Sequence, residues 1–205
     1  YHKFNGTTQA WDVIPYGTEI MVPGKGYIVR APQEFAIISS PSQKFPAKFE
    51  GVPNNGIITL PLTIGTNGKS NLIGNPYPSA IDAEKFITEN AGLIDGTLYF
   101  WTHNDAISST PDANGIYQYN AASYVSYNKT GSTGSGANTN KVSKNIAAGQ
   151  GFFVNSKIAG DIKFKNAMRV TSSSSNSSFF KIATANETQS TQETTEEVAI
   201  ERNRV

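Results

Sequence analysis

Aromatic side chains set among amide and hydroxyl groups are the residues of this chain best suited to binding a ligand. Trp11, Trp101, Tyr124 and Tyr127 each have Asn, Asp, Gln or Ser close by in the sequence. Aromatic faces stack on the apolar C–H surfaces of sugar rings, and a few well-placed polar groups then fix the orientation of the sugar. The pattern indicates a site for glycans or cell-surface polysaccharide.

Strand geometry sets a competing expectation for the same four rings. Side chains alternate between the two faces of a β-strand, so half of these rings would point into a core. Trp101 lies in a continuous apolar run and is expected in the core. Tyr124 and Tyr127 lie close to the Ser- and Gly-rich segment 131–140 and are expected to be exposed.

Hard oxygen ligands form a second candidate site. Asp105, Asp112 and Asn114 lie in one polar stretch, and Ca²⁺ prefers carboxylate and amide oxygens. Their spacing does not follow the EF-hand loop, and Asx side chains in turns commonly bond their own backbone. We therefore expect no cofactor, with calcium at these three residues as the alternative.

Catalytic groups are sparse. The chain has no cysteine, which excludes disulfides, zinc–thiolate sites and thiol catalysis, and its two histidines are His2 and His103. The Gly-Lys-Ser at 68–70 lacks the leading glycine of a phosphate-binding loop, and no Gly-x-Ser-x-Gly nucleophile elbow is present. The carboxylates are dispersed along the chain, so we predict that it is not an enzyme.

Charge and composition limit the partners and suggest the compartment. Seventeen basic and 16 acidic residues leave a net charge of +1, too little to steer nucleic acid. No apolar run reaches the ~18 residues of a transmembrane helix. Asn, Ser, Thr and Gly take the place of charged residues, which suits a secreted or outer-cell-surface protein.

Dense turn signals predict an all-β fold, either a β-sandwich or a jelly-roll-like arrangement. Asx-Gly pairs, which favour tight hairpins, occur at 5–6, 55–56, 67–68, 95–96 and 114–115. Short β-rich runs lie between them. The predicted strands are 26–30, 35–39, 47–50, 57–62, 97–102, 124–127, 151–155 and 161–164.

One short helix is predicted at about 80–90. Ser79 followed by Asp82 resembles a capping box, Phe86 and Ile87 can share a face with Ile81, and the segment 89–92 supplies a stop.

A diverged internal repeat divides the chain. Gly-Lys-Gly-Tyr-Ile-Val at 24–29 returns as Gly-Gln-Gly-Phe-Phe-Val at 149–154, with weaker matches before and after it in the same order. The second glycine of each copy is expected to permit a bulge or a positive φ. This pattern predicts two related β units, 1–70, truncated at its N-terminus, and 71–170, which carries the helix.

Four segments, taken in order, resemble a region near the C-termini of Bacteroidota surface and secreted proteins. They are 71–86, 96–102, 149–154 and 166–170. That region lies upstream of the signal read by the type IX secretion system. The resemblance implies export by the type IX machinery, and it brings no catalytic residues. Residues 171–205 are then expected to be a linker or tail leading to a further C-terminal domain, in a chain that is part of a longer protein.

The sequence thus predicts a non-enzymatic extracellular region of a bacterial surface protein, serving as a structural spacer, folded cargo or adhesion module. A carbohydrate-binding module and the accessory domain of a secreted hydrolase are the alternatives.

Overall fold

The computed structural model describes residues 1–15, 18–29, 49–102, 123–134, 141–172 and 175. In these residues the protein is an all-β, sandwich-like fold with one short α-helix, as the turn signals predict. The strands are β1 (His2–Asn5), β2 (Ala10–Val13), β3 (Tyr27–Ile28), β4 (Ile58–Leu62), β5 (Ser70–Gly74), β6 (Ile81–Asp82), β7 (Ile94–Trp101), β8 (Tyr124–Asn128), β9 (Gly131–Gly134), β10 (Asn145–Ile146), β11 (Gly151–Ser156) and β12 (Gly160–Phe164). The helix is α1 (Ala83–Glu89), and a 3-10 helix spans Asn166–Met168.

One layer of the fold is a long antiparallel sheet made of two joined parts. Five strands run in the order β5-β11-β7-β8-β9, and three run in the order β2-β1-β3. The segment before β3 joins the two parts, because the Gly26 amide donates to the Leu72 carbonyl (3.1 Å) and the Gly74 amide donates to the Gly24 carbonyl (2.9 Å). The eight strands therefore form nearly one continuous layer.

The second layer consists of the β12-β4 pair, α1 and the short β10-β6 pair. Leu60 and Leu62 of β4, Ile162 and Phe164 of β12, and Phe86 of α1 pack against the inner face of the long sheet. Phe86 and Phe164 stack at 5.0 Å between ring centroids. Burying these side chains supplies the apolar area that holds the two layers together.

The pairing of β4 with β12 connects the two units predicted from the repeat. β4 lies in the segment 1–70, and β12 lies in the segment 71–170, yet their register runs without interruption from Gly160–Leu62 to Phe164–Ile58. Both strands contribute to the same hydrophobic cluster. The division of the chain at residue 70 therefore stays a prediction that the two segments arose by duplication.

The helix begins three residues later than the sequence predicts. Its N-cap is Asp82, whose carboxylate accepts hydrogen bonds from the amides of Glu84 (2.9 Å) and Lys85 (3.1 Å). Ser79 does not cap it, because residues 81–82 pair with β10 instead. The helix ends at Asn90 as predicted, and the Asn90 side chain bonds the backbone of Phe86 and Lys163.

The Asx-Gly pairs have different roles. Asn5-Gly6 forms the β1–β2 turn, where the Asn5 side chain accepts from the amides of Thr7 and Thr8. Asp95-Gly96 lies inside β7, with Gly96 at φ +89°, beside a register shift between β7 and β11. The expected hairpin turn at Asp95-Gly96 is therefore wrong: the positive φ serves a bulge. The predicted strand at 35–39 and the pair at 114–115 lie outside the described residues.

The two Gly-x-Gly copies flank the same strand. Gly24 and Gly149 have φ values of +84° and +69°, so the first glycine of each copy makes the bend. The prediction that the second glycine adopts a positive φ is wrong. Residues 24–26 bond one edge of β5, and β11 pairs with its other edge with Gly151 opposite Gly74. The Gln150 carbonyl also accepts from the Asn75 amide (3.0 Å).

Buried asparagines explain part of the distinctive segment 71–86. Asn75 is 3% exposed, and its amide donates to the carbonyls of Ser79 (2.9 Å), Ile146 (3.1 Å) and Ala147 (3.0 Å). Asn71 links the carbonyl of Thr63 to the hydroxyl of Ser156 in a similar way. These side chains satisfy buried polar groups at the ends of strands, so their role is structural.

No helix in the described part of the chain is long and apolar enough to span a membrane.

Gly26→Ala is expected to lower the free energy of unfolding by about 1–3 kcal/mol through overpacking. A Cβ at Gly26 would lie 2.4 Å from Leu72 Cγ and 2.9 Å from the Ile73 carbonyl oxygen. Gly151→Ala is the matched control from the other copy, because its nearest contact would be an ordinary 3.6 Å. Urea denaturation of both variants checks the prediction, and equal losses would contradict it.

Candidate functional site

The long sheet has an outer face, opposite the core, on which aromatic side chains gather. Along β11, Phe152 and Val154 are buried in the core while Phe153 points outward. Along β7, Leu98 and Phe100 are buried, and Trp101 falls on the opposite side. The alternation of strand side chains therefore builds two surfaces from one apolar stretch.

Five rings form what we call the aromatic surface: Phe4, Trp11, Trp101, Tyr124 and Phe153. Phe4 meets Trp11 with centroids 5.2 Å apart and Phe153 with centroids 5.0 Å apart. Tyr124 meets Trp101 at 5.0 Å and Phe153 at 6.1 Å, all edge-to-face. The rings make one connected chain across five strands: β2, β1, β11, β8 and β7.

A tightly packed glycine lies opposite one ring of the aromatic surface. The register of β1 with β3 pairs His2 with Ile28 and Lys3 with Tyr27, and its continuation sets Phe4 opposite Gly26. Gly26 has no side chain, and the Leu72 side chain of β5 takes the space that a Cβ at Gly26 would need, with Cγ only 2.4 Å from that position. The close packing of the sheet at this glycine therefore also shapes the aromatic surface.

The rings are accessible to different degrees. Trp11 is 41% exposed on β2, and the other four rings are half-buried. Burial raises the pKa of the Tyr124 hydroxyl, so this side chain stays neutral at ordinary pH. A half-buried ring held by its neighbours loses little freedom when a ligand covers it, which favours binding.

A polar cluster adjoins the aromatic surface, and we call Ser70, Tyr99, Asp95 and Asn155 the polar cluster. Asn155 lies two residues beyond Phe153 on the same face of β11. The Ser70 hydroxyl donates to Asn155 Oδ1 (2.9 Å), and Asn155 Nδ2 donates to Asp95 Oδ2 (3.1 Å) and to the Tyr99 hydroxyl (3.4 Å). Burial, and next the charge of Asp95, raise the pKa of Tyr99.

The structure brings three of the four predicted aromatic residues together. Trp11, Trp101 and Tyr124 all belong to the aromatic surface, and the expectation that Trp101 lies in the core is wrong. Sequence reasoning missed Phe4 and Phe153. The pair Phe152-Phe153 gave a signal, since adjacent strand residues face opposite sides, but the sequence alone does not say which ring faces outward.

Tyr127 lies in the core, so the expectation that it is exposed is wrong. It is 7% exposed on the inner face of β8, and its hydroxyl donates to Glu84 Oε1 (3.2 Å) on α1. Tyr127 lies three positions after Tyr124, an odd offset that places the two rings on opposite faces of the strand. Burial, and then the hydrogen bond and charge of Glu84, raise the pKa of Tyr127 to about 12.

The predicted calcium ligands Asp105, Asp112 and Asn114 lie outside the described residues, as does His103. Within the described ranges, no group of three His, Cys, Asp or Glu side chains is arranged to hold a metal ion.

An open groove of about 670 Å³ beside α1 brings Asp82, Glu84 and Glu89 near one another. Each carboxylate has a structural partner. Asp82 caps the helix, Glu84 accepts from Tyr127, and Glu89 pairs with Lys165. These contacts give the three acids a structural role, which is to stabilise α1 and its packing.

A second groove, of about 410 Å³, lies beside β1 and has Lys3, Asp12 and Lys25 in its lining. Lys3 and Lys25 both pair with Glu19 there, and Asp12 accepts a hydrogen bond from Asn5 (3.1 Å). The hydrogen bond from Lys3 lowers the pKa of Glu19, which keeps the carboxylate ionised. The charges of this groove thus satisfy one another.

Fold and site define a β-sandwich-like protein with an aromatic surface and a polar cluster on one sheet face. The chain belongs to the family described as a domain of unknown function, DUF8693, whose model matches residues 1–204. No curated protein and no solved structure matches the chain.

Tyr127→Phe is expected to lower the free energy of unfolding by about 1 kcal/mol at pH 8, because the hydrogen bond to Glu84 is lost. The folded pKa of about 12 exceeds the unfolded value near 10, so the stabilisation by Tyr127 is full below pH 10 and is lost as pH rises towards 12. Urea denaturation at pH 8 and pH 11 should therefore show the difference between the wild type and the variant shrinking. A difference independent of pH would contradict the assignment.

Proposed function

We propose that this protein is a non-catalytic, extracellular region of an exported bacterial surface protein and that it binds glycans through the aromatic surface. The observation that carries the proposal is the connected chain of five half-exposed rings beside the polar cluster. Ligand sites in proteins combine apolar and aromatic contact area with a few fixed polar groups, and this face offers both.

The chemistry of the face suits sugars better than purely apolar ligands. A sugar ring has an apolar face, which an aromatic ring can cover, and a rim of hydroxyls that need hydrogen-bond partners. Phe153 and Asn155 supply one of each from neighbouring outward positions of a single strand. Tyr and Trp rings also contribute large contact areas at low cost in conformational entropy.

Sequence features support the extracellular setting. The chain has no cysteine and only 16% charged residues, and Asn, Ser, Thr and Gly dominate its polar composition. The ordered motifs at 71–86, 96–102, 149–154 and 166–170 resemble regions of proteins exported by the type IX secretion system. We therefore infer a secreted or outer-surface location and the type IX machinery as a partner.

Trp11→Ala is expected to weaken glycan binding at least about tenfold, as removal of an aromatic anchor does in other interfaces. Tyr124→Ala should act in the same direction. Residues 1–205 and the variants are first screened on a broad glycan array, with calcium and with chelator, and the hits are then measured by calorimetry. Loss of binding in chelator would add a calcium site.

Two control variants separate the aromatic surface from aromatic residues in general. Phe49→Ala removes a ring that is 79% exposed but is not part of the aromatic surface, and Tyr127→Phe alters a core tyrosine. Both should bind as the wild type does. A blank array with folded protein would refute glycan binding and leave a spacer or cargo role, which needs no ligand.

A further inference from the structure

We propose that the polar cluster is the hydroxyl-binding part of the aromatic surface and that it selects uncharged sugars over acidic or sulfated ones. This inference rests on the proposed glycan binding and names the class of ligand.

The polar cluster and the rings lie within reach of one ligand. Asn155 and Phe153 are two residues apart on β11, a separation of roughly 7 Å along an extended strand. Tyr99 pairs directly with Phe153 in the register of β7 with β11. A sugar stacked on Phe153 would therefore bring its hydroxyls to Asn155 and Tyr99.

Hydrogen bonds within the polar cluster fix its side chains and leave groups for a ligand. Both protons of the Asn155 amide are used, by Asp95 and by Tyr99, and its Oδ1 accepts from Ser70 with one lone pair remaining. Asp95 Oδ1 accepts from the Thr97 amide (3.0 Å), and each carboxylate oxygen can accept again. The face thus presents several acceptors, which match the hydroxyl protons of a sugar.

The remaining donor is the Tyr99 hydroxyl. It accepts hydrogen bonds from Asn155 and from the Thr97 side chain, so its own proton can point to a sugar oxygen. Burial and the nearby Asp95 charge favour the protonated form of this hydroxyl. A sugar hydroxyl both donates and accepts, and the polar cluster offers a partner for each role.

The charges of the outer face disfavour acidic sugars. Asp95 is the exposed, negatively charged member of the polar cluster. The eight strands of the long sheet contain one Lys or Arg, Lys3, which lies on the opposite face, paired with Glu19. A carboxylate or sulfate on the ligand would meet Asp95 with no cation on these strands to compensate.

Two variants test the polar cluster directly. Asn155→Ala should weaken binding of neutral glucose, mannose or galactose oligosaccharides about tenfold, because it removes the centre of the hydrogen-bond network. Asp95→Asn keeps the shape and removes the charge, so it should raise binding of oligogalacturonate and sulfated galactan several-fold. Ser126→Ala is the matched control and should change neither, because this hydroxyl lies opposite Tyr99 but donates to the Thr133 carbonyl and not to the polar cluster.

Calorimetry with the neutral and acidic probes distinguishes the outcomes, with thermal melting of each variant to confirm folding. If Asn155→Ala does not fold, the exposed Asp95→Asn carries the test. Wild-type protein that binds acidic probes as tightly as neutral ones would overturn the selectivity. If Trp11→Ala abolishes binding but Asn155→Ala and Asp95→Asn have no effect, this inference is overturned. The proposed function would then still stand. A wild type that binds no probe and no array glycan would overturn both.

Discussion

The close backbone packing around β5 is the constraint on which the rest of the fold depends. Gly74 sits between two Gly-x-Gly segments, and on one side a Cβ at Gly26 would lie only 2.9 Å from the Ile73 carbonyl oxygen of β5. Because both segments bend at a glycine with positive φ, their chains can approach β5 from either side. This arrangement joins the three-stranded part of the sheet to the five-stranded part, and so it creates a single outer face.

In this continuous sheet, side chains alternate between an inner and an outer face, and the two faces have different roles. The inner face packs on β4, β12 and α1, where Phe152, Phe86 and Phe164 form the centre of the core. The outer face keeps aromatic side chains with no strand pair or helix of the second layer over them, in the part of the chain that the structure describes. Rigid strands hold those rings, and a rigid platform suits a binding surface better than a mobile loop does.

The asparagines divide in the same way between structure and surface. Asn71, Asn75 and Asn90 are buried and satisfy backbone groups where strands and helix end, which makes the distinctive 71–86 segment a structural element. Asn155, in contrast, lies on the outer face within the polar cluster. An Asn-rich composition therefore says little about binding until each side chain is placed on a face.

Sequence alone determined the β class, the hairpin at Asn5-Gly6 and the helix end at Asn90, because these follow from local backbone preference. Composition also indicated that aromatic side chains are the candidate binding groups. The sequence could not determine that Asp82 caps the helix, since Ile81 and Asp82 pair with a strand more than sixty residues away. Nor could it tell Tyr124 from Tyr127, or Phe152 from Phe153. In each pair, the face that is buried depends on which layer packs against the sheet, and only the tertiary structure decides that.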